Sequence, residues 1–168
     1  MCTDPGRRKE VAVSLRFVVH EHHARHLHFD FRLEWEGVLK SWAVPKGPSM
    51  NPSEKRLAVA VEDHLIEYID FEGIIAEGQY GAGAVLIWDA GPCRISEWKE
   101  DRITFYLEGR KLKGGFTLTR LKGKGKGKEW LLIKKRDDHA VADWKIELEL
   151  TPEKRRRLTE RVPPCTAS

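Results

Sequence analysis

Five of the seven histidines fall between positions 20 and 28, inside Val18-Val-His-Glu-His-His-Ala-Arg-His-Leu-His-Phe-Asp-Phe-Arg-Leu-Glu34. Crowded imidazoles repel once protonated and bury poorly unless paired, so such a cluster needs a chemical reason. Glu21, Ala24, Arg25 and Leu27 interrupt it, which a terminal purification tag would not show. Its second half alternates as a strand does. Leu27, Phe29, Phe31 and Leu33 share one face, and His28, Asp30, Arg32 and Glu34 the other. His28 and Asp30 therefore project side by side and offer a ring nitrogen and a carboxylate oxygen to one cation. His22 precedes them by a segment short enough to fold back as a third ligand. Mixed N/O ligation suits Mn²⁺, Fe²⁺ or Zn²⁺, with positions left open for water and substrate. Arg32, one strand step further, carries a planar fork that fits a phosphate. A polar strand face is ordinarily just solvated, yet His–Asp–Arg in register is not the Thr/Lys/Glu composition of such faces. His20, His23 and His26 read as bystanders.

A second set lies in Arg56-Leu-Ala-Val-Ala-Val-Glu-Asp-His-Leu-Ile-Glu-Tyr68. Glu62 and His64 share a strand face, and Arg56 has the same parity. If this strand neighbours the first, His64 and Arg56 face the candidate metal across a phosphate-sized gap. His64 is then placed for hydrogen bonding or proton transfer, with a reference pKa of about 6.5 suiting either. Lys46 sits in the rigid turn Trp42-Ala-Val-Pro-Lys-Gly-Pro48, which would hold an ammonium in place. Glu77-Gly-Gln-Tyr-Gly-Ala-Gly83 lacks the Gly-Lys-Ser/Thr ending of a phosphate-binding loop and reads as a tight structural turn. Lys122, Lys124, Lys126 and Lys128 alternate with glycine on what looks like a hairpin tip, and could track a phosphodiester chain or simply be solvated.

These residues need short strands to hold them. Leu57–Asp63, Ala84–Trp88, Ile103–Leu107, Gly115–Arg120 and Trp130–Lys134 join Leu27–Glu34 as candidates, with Trp144–Leu150 as a late one. Gly and Pro signals between them fit an all-β fold, a compact antiparallel β-barrel with short helices, better than βαβ units. Thr151-Pro-Glu-Lys-Arg-Arg-Arg-Leu-Thr-Glu-Arg161 reads as a basic C-terminal helix with an N-cap Thr and Pro at its first position. The organisation expected is a charged arm over 1–16, a barrel domain over 17–150 and a basic tail over 151–168.

At 168 residues, 40% hydrophobic and 33% charged, the chain is long enough for one globular domain. No apolar run approaches the roughly 20 residues of a membrane helix, and the N-terminus lacks a signal-type apolar stretch, so a cytoplasmic location without membrane contact is expected. Three scattered cysteines argue against a disulfide framework and a Cys-based zinc site. The net charge of +4 favours an anionic partner.

Taken together, these blocks resemble the phosphoesterase domain of bacterial DNA ligase D and its free-standing archaeal and bacterial relatives. The resemblance runs from about Phe17 to Arg136. It rests on Phe17-Val-Val, His22, Leu27–Glu34, Leu39-Lys-Ser-Trp-Ala-Val-Pro-Lys-Gly-Pro48, Lys55-Arg-Leu-Ala-Val, Val61-Glu-Asp-His64, Tyr68-Ile-Asp-Phe-Glu-Gly73, Glu77–Gly83 and Trp130-Leu-Leu-Ile-Lys-Lys-Arg136. It implies a Mn²⁺-dependent barrel enzyme, with Zn²⁺, Co²⁺ or another divalent ion as alternatives, that heals 3′ ends during end joining. The implied partners are DNA or RNA 3′ ends in a primer–template duplex, and a ligase or polymerase on a separate chain. A phosphodiesterase step removes a 3′-terminal ribonucleotide and leaves a 3′-phosphate; a phosphomonoesterase step then gives a 3′-OH. By motif position His22, His28 and Asp30 become metal ligands. Arg32, His64 and Tyr68 surround the scissile phosphate, with Lys46, Arg56 and Glu62 in support. It is the resemblance, not spacing, that singles out His22 among its neighbours. The family's Gln-Lys-His-Asp is replaced here by His20-Glu-His-His23, and its Tyr by Phe29. Two other readings remain open: a non-catalytic basic nucleic-acid-binding barrel, and a metallophosphoesterase for a small phosphorylated metabolite.

Overall fold

Period-two alternation runs through nine strands of one curved antiparallel sheet. They are β1 (Leu15–His23), β2 (Leu27–Trp35), β3 (Val38–Val44), β4 (Arg56–Leu65), β5 (Gly73–Ile75), β6 (Gly83–Trp98), β7 (Arg102–Glu108), β8 (Lys113–Arg120) and β9 (Glu129–Lys134). This computed structural model describes residues 14–123 and 125–164. The strand order is β1-β2-β3-β4-β9-β8-β7-β6, and β1 also pairs with β6, so eight strands close into a barrel. Closure removes the free edges that would otherwise invite aggregation. β5 adds to the N-terminal half of β6, outside the ring.

The lumen is solid. Phe17, Phe29, Phe31, Leu33, Trp88, Phe105, Phe116 and Leu118 are at most 3% exposed and pack in one cluster. Each such side chain contributes about 1.5–3 kcal/mol by leaving water. A second, smaller cluster lies on the outer wall of the barrel, where Val18, Leu39 and Val85 are covered by Tyr68, Ile69, Phe71 and Ile75. These come from a 3-10 helix over Ile66–Asp70, from Phe71 that caps it and from β5, which together form a flap over β1 and β3.

The expected barrel is present, and several boundaries differ. β1 begins at Leu15, two residues inside the expected arm, whose residues 1–13 lie outside the described ones. β6 is 16 residues long rather than the short run Ala84–Trp88, because it serves β5, β1 and β7 in turn. Trp144–Leu150 is not a strand but an extended strap. Its alternation reflects Trp144 and Ile146 packing against the core cluster, while the Trp88 indole donates to the Glu147 carbonyl at 2.7 Å. The strap is latched by Glu21, fully buried on β1, whose carboxylate accepts from the backbone N–H of Glu149 at 2.6 Å and Leu150 at 3.0 Å.

The expected basic helix over 151–161 is shorter: α1 covers Pro152–Arg157, capped where Thr151 Oγ1 accepts from Lys154 N. Beyond it the chain is drawn onto β5, where Ile74 N donates to Thr159 O at 2.8 Å and Arg161 N donates to Ile74 O at 2.9 Å. Those backbone bonds compete with helical ones and stop the helix. Among the described residues no helix is long and apolar enough to cross a membrane.

Candidate active site

The register of β1 and β2 places His22 opposite His28, His20 opposite Asp30 and Val18 opposite Arg32. His22 therefore needs no fold-back: it sits on the neighbouring strand and on the same face, since directly paired residues point the same way. β3 continues the row, with Ala43 opposite Asp30 and Ser41 opposite Arg32. All of these side chains stand on the outer wall, beside the flap.

His22, His28 and Asp30 each bring a donor atom within 4.8 Å of the others. His22 Nδ1 lies 3.3 Å from Asp30 Oδ2, and His28 Nε2 lies 3.2 Å from Asp30 Oδ1. Each ring's other nitrogen faces a backbone carbonyl: His22 Nε2 donates to Gly81 O at 2.7 Å, and His28 Nδ1 to His26 O at 3.1 Å. A carbonyl can only accept, so those nitrogens carry the protons and fix both tautomers. In the neutral rings the remaining lone pairs then point at a carboxylate that also only accepts. Such opposition is relieved by a proton or by a metal ion between the donors. Outer hydrogen bonds of this sort are what orient histidine ligands around metals, so the donor set fits a divalent cation. The proton solution is visible too: the hydrogen bond to Asp30 raises the His28 pKa. Burial pushes the Asp30 carboxyl up, but the hydrogen bonds from His22 and His28 and the Arg32 charge outweigh it and hold it well below the usual range.

Arg32 is 3% exposed, and its guanidinium is the centre of a second network. Nε donates to His20 Nδ1 at 3.1 Å, and Nη1 donates to Ser41 Oγ at 2.9 Å. Nη2 approaches Asp30 Oδ2 at 3.4 Å, and the whole group stacks over the Tyr68 ring at 4.8 Å from its centroid. His64 Nδ1 sits 3.2 Å from Arg32 Nη1 and 3.0 Å from the Glu62 carbonyl, an atom that serves one partner at a time. Burial and then the Arg32 charge lower the His64 pKa to about 4, so the ring is neutral near pH 7. Burial raises the Tyr68 pKa, which keeps the hydroxyl protonated.

His64 reaches this wall by a device that strict alternation does not anticipate. Ala58 and Ala60 face the core, so even-numbered residues of β4 should follow. Instead β4 carries one extra residue: Ser41 pairs with Val61 and Leu39 with His64. A bulge of this kind switches the face of everything beyond it. His64 turns outward, while Arg56 keeps the parity of Ala58. The expected shared face of Arg56 and His64 is thus lost. Arg56 pairs with Glu54 at 3.3 Å and is not among the cleft residues. Lys46 is exposed on the turn after β3 and does not line the cleft either.

The cleft holds about 400 Å³ and is lined by His22, His28, Asp30, Arg32, His64 and Tyr68, with Glu62 also on its wall. Lys122, Lys126 and Lys128 are exposed between β8 and β9 and do not line it; Lys124 lies outside the described residues. His20 was missed as a functional position. It is fully buried, not a solvated bystander, and its Nε2 donates to Phe71 O at 3.2 Å while Nδ1 accepts from Arg32. Its parity with His22 was the available signal. Ser41 left none.

Barrel and cleft define a β-barrel protein with a candidate metal-binding site in a polar, half-buried cleft on its outer wall. The family model described as the DNA ligase D 3′-phosphoesterase domain matches residues 20–120. The chain belongs to this family. It is 47% identical over 138 residues to the multifunctional non-homologous end joining protein LigD of Pseudomonas aeruginosa, covering 79% of this chain and 16% of that protein. It is 47% identical over 111 residues to the multifunctional non-homologous end joining DNA repair protein LigD of Mycobacterium tuberculosis, covering 64% of this chain and 15% of the relative. The LigD of Mycolicibacterium smegmatis is 42% identical over 133 residues, covering 73% and 17%. The chain thus spans about a sixth of the length of these relatives.

Proposed function

We propose that this chain is a metal-dependent 3′-phosphoesterase acting on DNA or RNA ends, converting 3′-terminal ribonucleotides and 3′-phosphates to 3′-OH ends for end-joining repair. The observation that carries the reading is the pair of fixed tautomers aiming His22 Nδ1 and His28 Nε2 at Asp30, one strand step from Arg32. Family membership and the names of the relatives support the nucleic-acid substrate.

His22, His28 and Asp30 would hold the ion, Mn²⁺ foremost, with Zn²⁺ or Co²⁺ as alternatives; when bound it supplies Lewis acidity toward a phosphate oxygen. Arg32 adds a fixed positive charge beside the position of the phosphate, held in place by His20, Ser41 and Tyr68. Neutral His64 and protonated Tyr68 donate hydrogen bonds to oxygens on which charge grows as the P–O bond breaks and water's oxygen joins phosphorus. The departing ester oxygen takes up a proton, which on balance comes from the water whose oxygen joins phosphorus. Glu62 borders the same space. Lys46 and Arg56 lie toward the His28 end of the sheet, where they would support polynucleotide beyond the cleft. Lys122, Lys124, Lys126 and Lys128 are proposed as weaker backbone contacts.

The experiment is product analysis on labelled primer–templates ending in a 3′-phosphate or a 3′-ribonucleotide, with Mn²⁺ or EDTA. Sequential appearance of 3′-phosphate and 3′-OH products with Mn²⁺ alone is expected. Metal-independent turnover, or full activity in His28→Ala, would overturn the reading.

A further inference from the structure

Tyr80 lines the same cleft as His22, His28, Arg32 and Tyr68, yet it is 86% exposed. A tyrosine ring normally buries much of its apolar body, and one held open to water beside a polar site is suited to take a flat partner. Its loop has a defined turn geometry. Gly78 and Gly81 have φ of +88° and +78°, in the left-handed region that favours glycine. Gly83 has φ of +127°, and a Cβ there would lie 2.1 Å from the His23 carbonyl oxygen. Backbone bonds from Gln79 N to Ala76 O and from Ala82 N to Gln79 O close the turn around the tyrosine. Gly81 O then accepts from His22 Nε2, tying the loop to the candidate metal ligand itself. Because the residue after Tyr80 carries that bond, the Tyr80 backbone is anchored beside the ligand set. Apolar rim is supplied by Ile75, Pro163 and Pro164, all lining this cleft.

From this geometry we infer that Tyr80 is a stacking platform for the nucleobase of the 3′-terminal nucleotide, a subsite that rests on the phosphoesterase reading for the placement of the phosphate. The polar half of the cleft takes the phosphate, and the tyrosine and proline rim takes the base. Every base has a π-face, so the platform discriminates between a nucleotide and a bare phosphate ester rather than among sequences.

The test is equilibrium binding, by fluorescence anisotropy, of 3′-phosphorylated primer–templates whose terminal nucleotide carries a base or is abasic. Wild type, Tyr80→Phe and Tyr80→Ala are compared on the His28→Ala background, so that no turnover intervenes; product formation is measured separately with His28 intact and Mn²⁺ present. For the base-bearing end, Tyr80→Ala is expected to raise Kd about tenfold, and Tyr80→Phe to leave it within about twofold. For the abasic end, all three should bind equally and as weakly as Tyr80→Ala binds the base-bearing end. An unchanged Kd in Tyr80→Ala, or an equal loss on abasic ends, overturns the subsite while leaving the phosphoesterase reading intact. The expected Kd pattern without product from the His28-intact protein upholds the subsite and overturns the esterase. Absence of binding by any form overturns the subsite.

Discussion

Arg32 Nε donates to His20 Nδ1 across 3.1 Å of fully buried space, and His20 passes the contact on to the flap through Phe71 O. His20 is thereby a positioning residue: it holds the guanidinium plane and touches neither donor atom of the metal triad nor the open cleft. Losing a hydrogen bond to a charged group costs about 1.5–3 kcal/mol, so His20→Leu should reduce kcat roughly 10- to 100-fold with little change in KM. His20→Gln offers an amide oxygen to Arg32 and an amide N–H to Phe71, and should restore most of kcat. Equal losses in both variants, with unaltered melting temperature, would show that the contact does not matter to turnover.

Metal binding is measurable without chemistry. Mn²⁺ at a hundredfold excess over its dissociation constant should stabilise the protein by about 2.7 kcal/mol, seen as a rise in melting temperature. Asp30→Asn and His28→Ala should abolish the rise, whereas His139→Ala, an exposed histidine away from the cleft, should keep it. A persistent shift in Asp30→Asn would place the ion elsewhere.

His64 should titrate near pH 4 in NMR spectra of the metal-free protein, against 6.5 for an ordinary histidine. Burial comes first among the causes and the Arg32 charge second, so Arg32→Gln should move the midpoint upward. The stability consequence has a definite sign. Between pH 6.5 and 4 the unfolded chain binds a proton at this position that the folded chain refuses, so stability falls as pH drops through that window and levels off below it. His20, also depressed by burial and then by Arg32, acts in the same direction. A His64 midpoint above 6 would contradict the assignment.

Glu21→Gln should loosen the strap. The buried carboxylate serves two backbone N–H groups and His23 Nε2 at 2.6 Å. Neutralising it should cost about 1–3 kcal/mol of unfolding free energy and accelerate hydrogen exchange at Glu149 and Leu150 before the barrel strands. Unchanged exchange there would mean that the strap is held by Trp144 and Ile146 alone.

Strand β2 was legible because its two faces differ completely in chemistry, and it delivered His28, Asp30 and Arg32 together. β1 was not, since Val18, His20 and His22 share the outer face with a hydrophobic residue among them, and the inner face carries a buried glutamate. That mixture has no clean period. The strap failed for a related reason: Trp144 and Ile146 alternate like a strand, but backbone partners in a ladder cannot be read from side chains. Lys46 and Arg56 were grouped with the cleft by motif and parity, and neither reaches its wall. Parity misled at Arg56 because nothing in Val61-Glu-Asp-His64 announces an extra residue.

That extra residue has a consequence for how the site can be inherited. It lets two residues, Glu62 and Asp63, span the stretch between Val61 and His64 that an unbroken ladder crosses with one. The outward aim of this imidazole therefore depends on the bulge and the chain length together. One codon lost between Val61 and His64 would close the bulge and leave the imidazole opposite Leu39 on the outer wall, whereas loss of the bulge at full length would turn it inward.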